Sequence, residues 1–216
     1  MRRVYFMLIS FANQKGGCGK SSIALLLGAF LAKNKGKKVV GIDLDKQRSF
    51  LGRYDKDKSL SENPLYEVLY YKPLDFISAI QNKELDDDVY YIIDTPNQLD
   101  REVLAVLVLS DKLIVPYNYS RVSMESTSTF MNVISKICDA NSKLLFVANN
   151  IIQNARRETL TQYQSILEEY TSKDCIINNF IKSSINFQRF DTLNIPDVLL
   201  ENNIDVLEEI YLKLSS

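Results

Sequence analysis

The chain has no histidine and no tryptophan in 216 residues, and only three cysteines. With no imidazole and only three cysteines, an ordinary zinc site is not expected. Cys18, Cys138 and Cys175 form no CxxC pair, so there is no disulfide framework, and a reducing cytoplasm is the expected setting. Seven glycines and five prolines form no linker-like run, and no internal repeat or low-complexity segment is visible. No apolar stretch reaches the ~20 residues of a membrane span. Met1-Arg2-Arg3 followed by Val4–Ser10 has the outline of a signal peptide. The run is short, however, and leads straight into a glycine-rich loop that cleavage would destroy.

Charge is balanced overall and uneven along the chain. The net value is −1, but residues 1–60 carry 13 Lys/Arg against 4 Asp/Glu, residues 61–150 carry 7 against 13, and residues 151–216 carry 6 against 10. A basic first third suits contact with polyanions, including a nucleotide.

What is present is alternation. Apolar runs predict strands at 3–11, 38–43, 89–94, 112–116, 143–149 and 174–178, with a short one near 64–69. Several, such as Tyr90–Ile93 and Leu144–Ala148, are unbroken by polar residues, as strands buried on both faces are. Helical periodicity fits 20–34, 74–82, 99–109, 123–138, 157–171 and 203–214. This pattern predicts an α/β fold: a doubly wound, mainly parallel sheet flanked by helices, with ligands at the C-terminal ends of the strands. One domain over residues 1–216 is expected.

Residues 13–22 read Asn-Gln-Lys-Gly-Gly-Cys-Gly-Lys-Ser-Ser. Gly19-Lys20-Ser21 ends a phosphate-binding loop in the usual way, but Gln14 stands where the first glycine is expected, and Lys15 is an additional lysine. Gly16, Gly17 and Gly19 let backbone N–H groups form a nest around phosphate oxygens. The helix that follows adds its dipole. Lys20 should reach the β- and γ-phosphates, and Ser21 should offer its hydroxyl to Mg2+. Cys18 fills the variable position as a small residue.

Two more strand ends carry carboxylates. Val39–Ile42 runs into Asp43-Leu44-Asp45-Lys46-Gln47, where one aspartate can hold a magnesium-bound water and the other can orient the attacking water. Tyr90–Ile93 runs into Asp94-Thr95-Pro96, a Walker B arrangement in which Asp94 holds Mg2+ through water. Asp86-Asp87-Asp88 reads as a solvated turn. Phosphoryl transfer needs positioning and charge neutralisation, so this set functions without histidine.

Together these segments resemble the deviant Walker A, A′ and B motifs of the ParA/MinD ATPases, most of all a short ParA-type partition ATPase. The resemblance extends in length and order over essentially the whole chain and is most specific at 10–47 and 90–96. It implies that Lys15 is the signature lysine that crosses an ATP-sandwiched homodimer to touch phosphate in the partner subunit. It also implies catalytic roles for Lys20 and Asp45, nucleotide contacts from Gly16, Gly17, Cys18, Gly19, Lys20, Ser21 and Ser22, and magnesium held by Ser21, Asp43 and Asp94. Asn149 or Asn150 matches the family's adenine-contacting asparagine. Three positions depart from the family pattern: Lys46 replaces a proline, Asn97 stands where proline or glycine is common, and Phe180-Ile181-Lys182 lacks the Ile-Pro pair of the adenine loop.

A ParA-type protein implies ATP and Mg2+ as ligands, nonspecific DNA binding, and a ParB-like or centromere-binding partner. It also implies residence on the nucleoid in the cytoplasm, without membrane attachment. Lys182 and Arg189 are the candidate DNA contacts, with Arg156 and Arg157 behind them and the lysines at 33, 35, 37 and 38 as a second patch. The phosphate loop begins at residue 13, so no N-terminal helix-turn-helix domain is expected. The nearest rival is a MinD-like ATPase that positions protein cargo at the membrane, but the 203–214 helix is acidic and reads as core packing. The other rival is an ATP-dependent small-molecule ligase, which needs a second pocket beside the γ-phosphate.

Overall fold

The apolar runs do become strands, and the order in which they pair places the expected motifs side by side. The computed structural model describes residues 6–60, 64–118, 120–137, 143–151, 157–169, 171–183 and 195–214; for 121–123 and 157–161 it describes the backbone alone. Seven strands, β1 (Met7–Phe11), β2 (Lys38–Asp43), β3 (Glu67–Tyr70), β4 (Val89–Asp94), β5 (Lys112–Tyr117), β6 (Leu144–Ile151) and β7 (Ile176–Lys182), form one sheet in the order β3-β2-β4-β1-β5-β6-β7. Every pairing is parallel. The order turns back on itself around β1 and β4, and a parallel sheet opens a ligand crevice at such a point. The register is in line: Phe11 pairs with Asp94, and Asp94 with Asp43. Three loops that leave these strands therefore emerge at one level.

Helices cover both faces. On one side α1 (Lys20–Lys35) lies under α2 (Ser49–Leu60) and α8 (Ile204–Leu214), so Ile23 to Leu31 are buried without a break. A helix that is apolar all round in this way belongs in the interior. Gly28 lets it settle, since a Cβ there would stand 2.8 Å from the Tyr66 hydroxyl. On the other side Phe76 of α3 (Pro73–Gln81) and Val106 of α4 (Arg101–Leu109) pack on Leu8, Ile42, Tyr91 and Ile93. Further along that sheet, Phe130 and Met131 of α5 (Arg121–Ile134) and Leu167 of α6 (Arg157–Glu168) cover Leu113, Val115 and Phe146. A short α7 (Asp197–Glu201) precedes α8.

Two differences from the sequence reading have clear causes. Helix α2 was not foreseen, because its sequence is polar and Phe50 and Asp57 are its only buried residues. Two of its first amides are satisfied from β2, as described below. Residues 174–175, expected as strand, close a 3-10 turn (Lys173–Cys175), and β7 runs on to Lys182.

The acidic face of α8 does internal work. Glu209 accepts from the backbone N–H groups of Asn178 and Asn179 at 2.7 and 3.0 Å, which ties α8 to β7. Glu208 accepts from Lys35 Nζ at 2.7 Å. Val206, Leu207, Ile210 and Leu214 are in the core, as their spacing predicts. Among the described residues no helix is long and apolar enough to cross a membrane.

Candidate nucleotide site

Asn13, at the end of β1, anchors the phosphate loop from inside. Its side chain is fully buried, with Nδ2 donating to the Pro116 carbonyl at 2.8 Å and to Thr127 Oγ1 at 3.1 Å, while Oδ1 accepts from the Lys15 N–H at 3.1 Å. Sequence reasoning gave Asn13 no role, since Pro116 and Thr127, which hold its amide nitrogen, lie more than a hundred residues away. A polar residue at the end of an apolar strand was the only available signal.

The loop then turns at Gly19, whose φ of 102° lies in the left-handed region that favours glycine. A side chain there would also collide with Asn149, whose Nδ2 would stand 2.0 Å from the new Cβ. Asn149 reaches across from β6 and donates from Nδ2 to the Cys18 carbonyl at 2.8 Å. Of the two asparagines matched to the adenine contact, Asn149 thus braces the loop, while Asn150 is exposed with φ 58°. Cys18 is buried, and burial pushes its thiol above the usual range. Such a thiol stays protonated and unreactive. Ser22 follows half-buried on the first turn of α1.

Lys20 is buried at 7 % exposure. Its Nζ donates to the Asn13 carbonyl at 3.1 Å and, in a short contact, to Asn97 Oδ1. Asn97 also lies over Gly16, since a Cβ on that glycine would stand 3.5 Å from Asn97 Nδ2. Lys15 is half-buried, and its ammonium has no hydrogen bond or ion pair among the described residues.

The three carboxylates differ in what they hold. Ser21 Oγ donates to Asp94 Oδ2 at 2.6 Å, and Asp94 Oδ1 is buried without a hydrogen-bond partner among the described residues. Burial pushes Asp94 up to about 7, helped by the charges of Asp43 and Asp45 and opposed by Ser21 and Lys20. Asp43 is fully buried, with Oδ1 accepting from Asp45 N at 2.9 Å and Oδ2 from Phe50 N and Leu51 N at 2.9 and 3.0 Å. It is therefore the cap that starts α2 and the brace of the A′ turn, and its carboxyl too lies above the ordinary range through burial. Asp45 is half-buried and folds its Oδ1 onto Gln47 N at 2.9 Å. Thr95 Oγ1 donates to the Phe11 carbonyl at 2.7 Å and fastens the Walker B strand end to β1.

No group of three or more His, Cys, Asp or Glu side chains converges as a metal cage among the described residues. Magnesium is commonly held by one or two protein oxygens together with phosphates and waters. The Ser21 hydroxyl and the orphaned Asp94 Oδ1 fit such a partner set, because a metal-bound water would satisfy that buried oxygen.

Beside the site is a cavity of about 710 Å3, lined by Asp45, Arg48, Tyr70, Pro96, Asn97 and Glu102 among others. Arg48 stacks on the Tyr70 ring at 4.2 Å within it. Arg53 of α2 was not anticipated either. One nitrogen of its guanidinium is buried without a hydrogen-bond partner among the described residues, and burial lowers its pKa against the opposing charge of Asp94.

The expected DNA contacts are described only in part. Lys182 is exposed at the end of β7, while Arg156 and Arg189 lie outside the described residues, as does the side chain of Arg157. In the second patch, Lys33 Nζ donates to the Ile195 carbonyl at 2.9 Å, Lys35 pairs with Glu208, and Lys37 lies over the Tyr90 ring. Those three lysines fasten the fold.

A sequence profile for the CobQ/CobB/MinD/ParA nucleotide-binding domain (CbiA) matches residues 9–195. The chain belongs to that family. An uncharacterised ATP-binding protein of Methanocaldococcus jannaschii is 33% identical over 138 residues, covering 51% of this chain and 52% of that protein. The sporulation initiation inhibitor protein Soj of Bacillus subtilis is 25% identical over 163 residues, covering 59% and 64%. The matches thus span about half to just under two thirds of those relatives' lengths. In structure, a putative plasmid partition protein of Borrelia burgdorferi bound to AMPPNP superposes with a TM-score of 0.73 at 22% identity, covering 97% of this chain and 99% of that one. The pNOB8 ParA bound to nonspecific DNA gives 0.66 at 16% identity, covering 97% and 98%. These two likenesses establish the shared fold. The family is the one that the motifs at 13–22, 43–47 and 93–96 resemble, and the doubly wound parallel sheet is the expected one.

Proposed function

We propose that the chain is a ParA-type ATPase switch, which dimerises around ATP, binds DNA nonspecifically in that state and positions a plasmid or other DNA cargo with a ParB-like or centromere-binding partner. The observation that carries this reading is Lys15. Among the described residues its ammonium has no partner, in a phosphate loop that already has its own buried lysine, Lys20. A second cation that the local site does not engage is suited to the phosphates of a second subunit. The names of the structural neighbours support the DNA part, since one is a ParA bound to nonspecific DNA.

In this reading the loop amides and Lys20 would hold the β- and γ-phosphates, and Ser21 and Asp94 would hold magnesium, Asp94 through a water. Asp45 would orient the water that attacks the γ-phosphorus. The attacking oxygen forms a bond to phosphorus as the bridging bond to ADP breaks, and the water's proton passes to solvent. Asp43, with both oxygens on backbone amides, holds Asp45 and α2 in place. Magnesium supplies charge neutralisation at the phosphates.

Lys15→Ala should bind nucleotide and fail to dimerise. Analytical ultracentrifugation with ATP and Mg2+ checks this, and a variant that dimerises as the wild type does would overturn the assignment. One observation favours a second reading, an ATP-dependent ligase: the cavity beside Asn97 and Asp45 has room for a second substrate. Rapid turnover with a small carboxylate or amine, indifferent to DNA, would favour it.

A further inference from the structure

The nucleotide reading leaves one contact unexplained, the hydrogen bond from Lys20 Nζ to Asn97 Oδ1. We propose that Asn97 is a latch on the phosphate loop: its amide oxygen occupies the place of a γ-phosphate oxygen on Lys20, so that triphosphate binding, unlike diphosphate binding, must expel it. The proposal rests on the ATP reading of the loop.

The geometry carries it in three steps. An ammonium has three donors, and Lys20 uses one on the Asn13 carbonyl and one on Asn97 Oδ1. One donor remains, enough for a β-phosphate oxygen with the latch still closed. A γ-phosphate needs another, and the Asn13 bond is the harder to break. Asn13 is fully buried and held by Pro116 and Thr127, whereas Asn97 is exposed on a loop. The latch is thus the member that yields.

Its release is felt elsewhere because of where Asn97 sits. One side of the residue lies over Gly16, and the same residue lines the cavity with Asp45, Pro96 and Glu102. The loop from Pro96 to Asp100 ends at the N-terminus of α4, where Asp100 caps the helix by accepting from Val103 N at 2.9 Å. Movement of Asn97 off Lys20 is therefore confined between two fixed points, Thr95 on Phe11 and Asp100 on α4. It remodels the cavity wall without unfolding the sheet. In this way the terminal phosphate acquires a structural readout on the cavity wall that includes Asp45.

The test compares ADP and a nonhydrolysable ATP analogue by calorimetry with Mg2+, on the wild type, Asn97→Ala and the near-isosteric Asn97→Asp. Removing the latch should tighten the analogue by about ten-fold, the size of one hydrogen bond to a charged group, and leave ADP nearly unchanged. Asn97→Asp keeps the shape, pairs more strongly with Lys20 and repels phosphate, so it should weaken the analogue more than ADP. Hydrogen exchange at 97–99 should rise with the analogue and not with ADP in the wild type. Wild-type binding of both nucleotides with the same ratio in all three proteins overturns the latch alone. Selective loss of the analogue in Asn97→Ala overturns it as well, since Asn97 would then be a direct ligand. A wild type that binds neither nucleotide overturns the ATP reading and the latch with it.

Discussion

Ser21 and Asp94 are joined by a 2.6 Å hydrogen bond that uses only one of the two buried carboxylate oxygens. The other oxygen has no hydrogen-bond partner among the described residues, and burial pushes Asp94 up to about 7 against an ordinary 3.8. Because the folded value is the higher one, the cation-free folded protein holds a proton that the unfolded chain has already lost. The stability this gives is complete below 3.8 and is lost as pH rises from there to about 7. Thermal melts in chelator should therefore fall more between pH 5 and pH 8 for the wild type than for Asp94→Asn. Mg2+ with nucleotide must displace the proton, so its affinity should rise over the same interval and level off above it. A pH profile shared by the wild type and Asp94→Asn would exclude this role.

Asp43 is expected to matter for structure first. Asp43→Ala removes the acceptor of three backbone N–H groups at the start of α2 and in the A′ turn. Loss of a cap and exposure of unpaired buried amides cost about 1–3 kcal/mol. Chemical denaturation should register that loss, and hydrogen exchange should speed up at Asp45, Phe50 and Leu51. Asn in place of Asp keeps one accepting oxygen and should fall between the two.

Gly19 faces two separate obstacles to substitution. A side chain meets Asn149, and the backbone has a φ of 102°. Gly19→Ala should abolish nucleotide binding, and trimming the obstacle in the Gly19→Ala/Asn149→Ala double variant should not restore it. The left-handed backbone alone costs about 1–2 kcal/mol for a residue with a Cβ. Recovery of binding in the double variant would assign the whole effect to the collision.

The DNA proposal has its exposed representative in Lys182. Lys182→Glu should weaken ATP-dependent retention on DNA while ATP hydrolysis without DNA stays the same. If Lys182 neutralises a phosphate, the plot of log affinity against log salt should become shallower by about one unit. Unchanged retention and slope would move the interface elsewhere.

Much of the site was legible in the sequence, because an apolar strand running into a glycine or an aspartate is a local signal. The loop at 13–22 and the ends of β2 and β4 lie where that signal puts them, and the strand register brings Asp43 and Asp94 opposite each other. Non-local relationships escaped it. Helix α2 has an apolar content too low to be noticed, and its cap lies six residues upstream on a strand. Asn13 looks like any loop residue until Pro116 and Thr127 are beside it. Asn97 could be read as a departure from the family pattern, but no sequence rule connects it to Lys20, 77 positions away.

The position of β4 between β1 and β2 has a consequence for a chain that is still being made. The phosphate loop follows the first strand and the A′ aspartates follow the second, yet neither strand touches the other in the finished sheet. Until Val89–Asp94 has left the ribosome no strand pairs with both of them. An N-terminal nascent fragment that stops short of residue 94 should therefore leave the β4-facing edges of β1 and β2 unpaired, a hazard that parallel sheets share. Such a fragment would be a natural client for chaperones, and the phosphate loop would become competent only once the wedge strand arrives.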